Sequence, residues 1–249
     1  MKLKKNAPVP TLAEERKHIL NEKTPFAAQE AYKNLRTNLM FSTAGDGCKV
    51  ILVTSPEQGE AKSTTAVNLA LSFAQNNSKV LLVDGDLRLP TVARKLALDG
   101  TPGLTDLLVG RAKTNEAMRV LSNGLYLLPS GTVPPNPVEL LGAKQMENMI
   151  EFLRKSFDYI IIDTPPVNVV SDALVLSPRA DGVVLVCRQG VSSIKSAEEA
   201  IRKLEFAETK ILGFIFTDVH SEKKHGKYGG KYGYSYGRRK SEGETRNNP

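Results

Sequence analysis

The chain has 249 residues, of which 41% are hydrophobic and 24% are charged, and its formal net charge is +7. This composition is typical of a globular protein with one sizeable core, and it excludes collagen, coiled coils and wholesale disorder. The longest apolar runs span only a few residues, whereas a membrane-crossing helix needs about 20. No apolar stretch follows the basic residues 1–5, so we expect a cytoplasmic protein without a secretory signal.

The first part of the chain divides into an arm and a helix. Residues 1–23 mix Lys, Pro and Glu without periodicity, and we expect a flexible arm there. Thr24 and Pro25 then provide a helix cap and a first-turn proline, and apolar residues follow at helical spacing as far as Ser42. The sequence therefore predicts a helix that begins at Thr24.

From residue 49 onward, apolar strands alternate with amphipathic helices. This alternation predicts an α/β fold whose mostly parallel sheet is covered by helices on both faces. The predicted strands are 49–55, 79–84, 125–129, 159–164, 182–189 and 210–217, and the predicted helices are 63–75, 144–155 and 192–206.

The last segment, 221–249, cannot build a core. It contains no Ile, Leu, Val, Phe or Met, but it holds six Gly and four of the seven tyrosines of the chain, namely Tyr228, Tyr232, Tyr234 and Tyr236. We expect a disordered tail rich in Tyr, Gly and Lys. Its basic character would suit nucleic acid or an anionic membrane surface. No nucleic-acid-binding fold accompanies it, so we expect no nucleic acid partner.

Residues 50–65 have the pattern of a strand, a tight loop and a helix start, with Lys62 and Ser63 where the helix begins. Such a loop binds phosphate through backbone N–H groups at a helix N-terminus, a Lys that reaches the β- and γ-phosphates, and a hydroxyl on Mg²⁺. Pro56 and Ala61 stand where the Walker A pattern has Gly. We expect the Ala61 methyl group to crowd the phosphate or to disfavour the backbone angle that Gly adopts.

Carboxylates follow two of the predicted strands. Asp84 and Asp86 come at the end of one strand and lie on one face of an extended chain, and Asp163 ends the apolar run 159–162. Acids at the carboxyl ends of parallel strands face the ligand crevice of an open α/β sheet, and close carboxylates favour a cation between them. Together with the Lys62 loop, they predict a site for a magnesium-bound nucleotide.

These segments together resemble the BY-kinases, the bacterial tyrosine kinases of capsule and exopolysaccharide production. Residues 55–65 resemble the Walker A loop of that family, residues 84–88 its Walker A′ segment and residues 161–166 its Walker B segment, and the resemblance spans nearly the whole chain. It implies a P-loop NTPase-type fold, ATP and Mg²⁺ as cofactors, and phosphoryl transfer to protein tyrosines.

The resemblance also implies residue roles. Lys62 would neutralise the transferred phosphate, Asp84 would act as the base on the tyrosine hydroxyl, and Ser63, Asp86 and Asp163 would hold the metal. The backbone of the loop would cradle the phosphates; its residues are Gly59, Glu60, Ala61, Lys62, Ser63 and Thr64.

Outside this site, the resemblance implies oligomerisation and regulation. The kinase domain would span 24–220, and its first helix, 24–43, would join subunits into a ring through Glu30, Lys33 and Arg36, with Lys33 where the family has Arg. The tail tyrosines would be autophosphorylated by a neighbouring subunit. A membrane adaptor of the polysaccharide co-polymerase type would activate the kinase and hold it at the inner face of the membrane.

Two alternative functions remain open at this point. A partitioning-type P-loop ATPase shares the motifs, but its signature Lys early in the loop is replaced by Glu57. A non-catalytic, nucleotide-bound scaffold of polysaccharide assembly is supported by Ala61, and also by Thr217, which stands where the kinases have an Asn near the adenine.

Overall fold

A seven-stranded sheet occupies the centre of the part of the chain that the computed structural model describes, which is residue 14 and residues 16–219. The sheet order is β3-β4-β2-β5-β1-β6-β7, and each neighbouring pair is parallel except β3 and β4. The strands are β1 (Lys49–Thr54), β2 (Val80–Asp84), β3 (Arg119–Val120), β4 (Tyr126–Leu128), β5 (Tyr159–Asp163), β6 (Gly182–Arg188) and β7 (Ile211–Thr217). The predicted, mostly parallel α/β fold is confirmed.

Helices cover both faces of this sheet. They are α1 (Phe26–Ser42), α2 (Lys62–Ala74), α3 (Val92–Lys95), α4 (Leu104–Leu108), α5 (Thr114–Ala117), α6 (Pro137–Gly142), α7 (Lys144–Arg154), α8 (Asp172–Leu176) and α9 (Ile194–Phe206). The predicted helices correspond to α1, α2, α7 and α9. The others have four to six residues, too few to display a 3.6-residue period, which is why the sequence did not reveal them. None of the helices in the described ranges is long and apolar enough to cross a membrane.

The central strand β1 separates two hydrophobic cores. Its alternate residues Val50 and Leu52 pack with residues of α7 and α9, whereas Ile51 and Val53 pack with residues of α1 and α2. Because β1 is buried on both faces, its sequence is a continuous apolar run without polar alternation. The buried strand β1 thus leads directly into the loop that follows Thr54.

Helix α1 begins two residues later than the sequence predicts. Pro25 occupies the N-cap position, and no side chain caps the helix. Thr24 serves the preceding turn, where its Oγ1 accepts a hydrogen bond from the Asn21 amide at 2.9 Å. The prediction that Thr24 caps the helix is therefore wrong, because its hydroxyl bonds to the turn before the helix instead.

The end of the predicted arm contacts the domain. Leu20 is buried, and its amide donates to Oδ1 of Asn68 on α2 at 2.8 Å. The Asn68 side chain also donates to the His18 carbonyl at 2.7 Å. At residues 18–20 this differs from the expected flexible arm, because one amide side chain on α2 bonds two of their backbone groups. Residues 1–13 and 15 of the predicted arm lie outside the described residues.

The two-sided burial of β1 predicts a large effect of truncation. We expect Leu52→Ala to lower the free energy of unfolding by about 2–5 kcal/mol, because it removes buried methyl groups and leaves a cavity. Leu89→Ala is the control, since Leu89 is 66% exposed and its loss should change stability by less than about 0.5 kcal/mol. Urea denaturation measures both, and equal losses would contradict the assignment of β1 to the core.

Candidate active site

The register of the central strands brings the predicted acids to one edge of the sheet. In β2 and β5, Asp84 lies directly opposite Asp163, and β1 ends beside them. The amide of Gly85 donates to the Asp163 carbonyl at 2.8 Å, and a Cβ at Gly85 would meet that same oxygen at 2.8 Å. Only glycine therefore allows the chain after β2 to pass so close to the end of β5.

Lys62 joins the predicted residues into one cluster. Its Nζ lies 3.0 Å from Oδ2 of Asp86 and 3.3 Å from Oδ1 of Asp163. The same ammonium group donates to Oγ of Ser63 at 3.2 Å. The Lys62 side chain is 11% exposed and that of Asp163 is fully buried, so little water separates these charges. The structure thus brings together Lys62, Ser63, Asp86 and Asp163, although Lys62 and Asp163 are 101 residues apart in the sequence.

The charges in this cluster stabilise one another. Burial alone would lower the pKa of Lys62, but the carboxylates of Asp163 and Asp86 outweigh burial and raise that pKa above its usual value. Burial raises the pKa of Asp163, although Lys62 opposes the shift. The ammonium group therefore stays protonated at neutral pH and provides the positive charge that the acids need.

Asp84 stands beside this cluster and is fully buried. Its Oδ2 accepts a hydrogen bond from the Val92 amide at 3.1 Å, and its Oδ1 accepts one from the Asp86 amide at 3.3 Å. Burial and the nearby charge of Asp163 raise the pKa of Asp84 to about 8. Asp84 is also among the residues around a cavity of about 290 Å³. It can therefore take up or release a proton at neutral pH.

The loop before α2 curls through two left-handed residues. Gly59 has φ +81° and nothing within 4 Å of the position of a Cβ, while Ala61 has φ 66° and ψ 21°. Ala61 therefore adopts the backbone angle that we expected an alanine to disfavour. Helix α2 begins at the next residue, Lys62, so its first N–H groups, which have no partner within the helix, lie at the end of this loop.

The side chain of Glu60 holds this loop, a role that the sequence did not reveal. Glu60 is 1% exposed and accepts hydrogen bonds from the Glu57 amide at 2.8 Å and from the hydroxyl of Ser192. Its carbonyl accepts a bond from Oγ1 of Thr217 at 3.1 Å. Arg188 adds a bond to the Gly59 carbonyl at 3.0 Å. Arg188, Ser192 and Thr217 follow the loop by about 130 residues or more, so no local pattern could indicate them.

The other predicted residues lie elsewhere. On α1, Lys33 pairs with Glu30 at 2.8 Å on the exposed side, whereas Arg36 donates to the Ser72 carbonyl of α2 at 2.6 Å within the same chain. An ion pair between Arg88 and the buried Asp172, at 3.1 Å, was not predicted. Tyr228, Tyr232, Tyr234 and Tyr236 lie outside the described residues.

Comparison with known proteins first defines the class. The sequence profile of the AAA domain family matches residues 48–212, so the chain belongs to that family of P-loop domains. Among solved structures, the septum site-determining protein MinD of Pyrococcus horikoshii complexed with Mg-ADP has a TM-score of 0.59 and 28% identity, over 68% of this chain and 70% of that one.

Three further proteins define the family within this class. Tyrosine-protein kinase YwqD of Bacillus subtilis is 41% identical over 80% of this chain and 84% of its own length. Tyrosine-protein kinase CpsD of Streptococcus pneumoniae is 40% identical over 81% and 89%. The crystal structure of the chimerical protein CapA2B2 has a TM-score of 0.74 and 32% identity over 78% and 86%. The chain belongs to the bacterial tyrosine kinases, as the sequence resemblance predicts.

The left-handed Ala61 predicts a stabilising substitution. We expect Ala61→Gly to raise the free energy of unfolding by about 0.5–1 kcal/mol, because relief of a left-handed alanine exceeds the extra unfolded-state entropy of glycine. Ala197→Gly in the helical interior of α9 is the control and should lower stability by about 1 kcal/mol. Thermal and urea unfolding measure both, and a loss of stability in Ala61→Gly would contradict the backbone angle.

The buried Asp84 predicts a pH dependence of stability in the metal-free protein. Its folded pKa of about 8 lies above the unfolded value of about 3.9, so the folded chain binds the extra proton between these limits. The contribution of this proton to the free energy of unfolding is complete below pH about 4, and it is lost as the pH rises through about 8. Relative to Asp84→Asn, which does not titrate, the parent should lose stability across this interval.

Urea denaturation at a series of pH values, with EDTA present, measures this difference. Asp46→Asn, at an exposed position, is the control and should follow the parent at every pH. We expect the free energy of unfolding of the parent to fall relative to that of Asp84→Asn as the pH rises. If it stays constant or rises instead, Asp84 is not buried as a neutral acid.

Proposed function

We propose that this chain is an ATP-dependent protein-tyrosine kinase that autophosphorylates Tyr228, Tyr232, Tyr234 and Tyr236 and thereby regulates capsular or exopolysaccharide synthesis and export. The observation that carries the proposal is the position of Asp84. Its Cα lies opposite that of Asp163, a member of the Lys62 cluster, and its carboxyl group is buried with a raised pKa. A base beside a phosphate-binding cluster is what phosphoryl transfer to a hydroxyl requires.

The donor set fits ATP and Mg²⁺. The loop from Gly59 to Thr64 curls at the N-terminus of the 13-residue helix α2, and this arrangement of N–H groups binds phosphate oxygens. Ser63, Asp86 and Asp163 offer oxygen ligands around Lys62. Among residues 16–219, no three acidic, His or Cys side chains form a metal cage. Mg²⁺ commonly takes one or two carboxylates together with phosphate oxygens and waters.

Each residue of the cluster then has a distinct role. Lys62 would leave its carboxylate partners to bind the β- and γ-phosphates, and it would neutralise charge on the group in transfer. Ser63, Asp86 and Asp163 would hold the metal, which supplies further charge stabilisation when bound. Asp84, whose oxygens are oriented by the Val92 and Asp86 amides, would accept the proton of the tyrosine hydroxyl.

The partners follow from the same family. We propose a homo-oligomeric ring that forms through the exposed Glu30 and Lys33 on α1, and in which one tail enters the site of a neighbour. A membrane adaptor of the polysaccharide co-polymerase type would bring the chain to the inner face of the membrane. Phosphorylation adds about −1.5 to −2 charges per tyrosine, so it would reverse the basic character of the tail and loosen the ring.

Replacement of Lys62 tests the proposed activity. We expect Lys62→Met to lose phosphotyrosine formation by at least about a thousandfold, because the cation that neutralises the phosphate is gone. Mass spectrometry of the purified chain, incubated with Mg-ATP and the cytosolic segment of a candidate adaptor, measures phosphate at each tail tyrosine.

Lys155→Met is the matched control, since Lys155 is exposed at the end of α7 and remote from the loop in sequence. It should retain the activity of the parent. Phosphate in neither parent nor control, together with absent ATP binding, would favour the non-catalytic scaffold. ATP hydrolysis without phosphotyrosine would favour the partitioning-type ATPase.

A further inference from the structure

An ion pair joins the loop after β2 to helix α8. Nε of Arg88 lies 3.1 Å from Oδ1 and 3.2 Å from Oδ2 of Asp172, the first residue of α8. The Asp172 side chain is fully buried, whereas that of Arg88 is 37% exposed. A buried carboxylate is stable only with a cation or hydrogen bonds beside it, so the pair holds Arg88 against the helix that follows β5.

The positive charge of Arg88 also reduces repulsion between two acids. Burial raises the pKa of Asp172, Arg88 opposes that shift, and the negative charge of Asp86 adds to it. Asp172 and Asp86 are therefore close enough for their charges to interact. Asp172 is thus a further acid near the Lys62 cluster, and it has a cation of its own.

The loop that contains Arg88 also carries Asp86, one of the proposed metal ligands. Oδ1 of Asp86 accepts a hydrogen bond from the Leu89 amide at 3.1 Å, and its Oδ2 lies 3.0 Å from Nζ of Lys62. One oxygen of this carboxylate is thus bonded by the backbone of its own loop and the other by Lys62. Because Leu89 directly follows Arg88, the position of its amide depends on where Arg88 is held.

Nucleotide binding would separate these two contacts of Asp86. In the proposed function Lys62 leaves Asp86 for the phosphates, so Oδ2 becomes available to the metal while the Leu89 amide retains Oδ1. The bond between Arg88 and Asp172 does not involve Lys62, so it would persist through this exchange. Asp86 then needs an orientation that is independent of Lys62, and the anchored loop provides it.

We propose that Arg88 is a positioning residue for the metal site: bonded to Asp172, it fixes the loop so that Asp86 keeps its orientation after Lys62 has moved to the phosphates. This inference rests on the proposed function, and within it on the metal role of Asp86. Arg88 needs no contact with the metal or the nucleotide. Residues that orient metal ligands in this way typically change metal affinity by about 10- to 100-fold when they are replaced.

ADP binding with and without Mg²⁺ tests this role. The dissociation constant of fluorescently labelled ADP is measured on the full chain over a series of Mg²⁺ concentrations and in EDTA. We expect Arg88→Gln to raise the Mg²⁺ concentration for half-maximal strengthening of binding by about tenfold, with little change of affinity in EDTA. Arg88→Lys, which keeps the charge, should recover part of this loss. An equal loss of affinity in EDTA would indicate a general disturbance of the site and would overturn the inference.

A double variant separates the positioning role from misfolding. Arg88→Gln leaves the buried Asp172 without its cation, which lowers stability. Adding Asp172→Asn removes the unpaired charge, so the double variant should unfold at a temperature closer to that of the parent. It should still need about tenfold more Mg²⁺ than the parent. A folded double variant with the Mg²⁺ requirement of the parent would contradict the proposal.

Arg154→Gln is the matched control. Arg154 pairs with Asp181 at 2.8 Å and donates to the Cys48 carbonyl at 2.9 Å. These partners directly precede β6 and β1, so this ion pair lies at the amino ends of the strands, away from the phosphate-binding loop. We expect Arg154→Gln to lower stability but to keep the Mg²⁺ requirement of the parent. The same shift in Arg154→Gln as in Arg88→Gln would refute a specific role for Arg88.

Phosphotyrosine formation, measured separately, distinguishes this inference from the proposed activity. If the parent forms no phosphotyrosine but Arg88→Gln shows the expected shift in Mg²⁺ requirement, the kinase proposal fails and the positioning role stands. If the parent is an active kinase and the shift is absent, the positioning role fails alone. If Mg²⁺ does not strengthen ADP binding to the parent, the positioning role is refuted whatever the activity.

Discussion

The active site depends on the ammonium group of Lys62, which lies among buried carboxyl groups. Because β2 and β5 end at the same level of a parallel sheet, the chain delivers Asp84, Asp86 and Asp163 to one dry edge, where like charges repel and desolvation is costly. The ammonium group of Lys62 lies within salt-bridge distance of Asp86 and Asp163. Ionised carboxyl groups are tolerated in such a place only with a partner. The same charges that constrain the fold create a site that would favour a metal and phosphates.

The phosphate-binding loop is supported by the two strands on the other side of β1 from β5 and β2. Glu60, Arg188 and Thr217 connect the loop to the carboxyl ends of β6 and β7. A strained residue persists where the surrounding contacts determine its conformation. This support explains how Ala61 holds a left-handed angle that glycine usually provides. Arg188 also pairs with Asp218, close to where the tail begins, so one guanidinium contacts both the loop and the tail junction.

Helix α1 joins two roles that its sequence does not separate. Its exposed face carries Glu30 and Lys33, and these remain available to our proposal of a ring. Its inner face packs on α2, the helix that follows the phosphate-binding loop, with Arg36 bonded to the Ser72 carbonyl. Of the three residues proposed for oligomerisation, Arg36 thus already stabilises the subunit itself. Any movement of α1 against a neighbour would therefore act on α2 as well.

The sequence by itself determined the long elements and the chemistry of the cluster. Strands buried on both faces appear as continuous apolar runs, the longer helices show their period, and acids at strand ends mark the ligand edge, so Lys62, Asp84, Asp86 and Asp163 could be identified. Short helices such as α3 and the two-residue β3 left no such pattern. Only the tertiary structure decided the buried role of Glu60, the angle of Ala61 and the cavity between Arg16 and Asp84. These depend on contacts between residues up to about 150 positions apart. Local periodicity and motif spacing carry no information about such contacts, because packing of the whole sheet sets them.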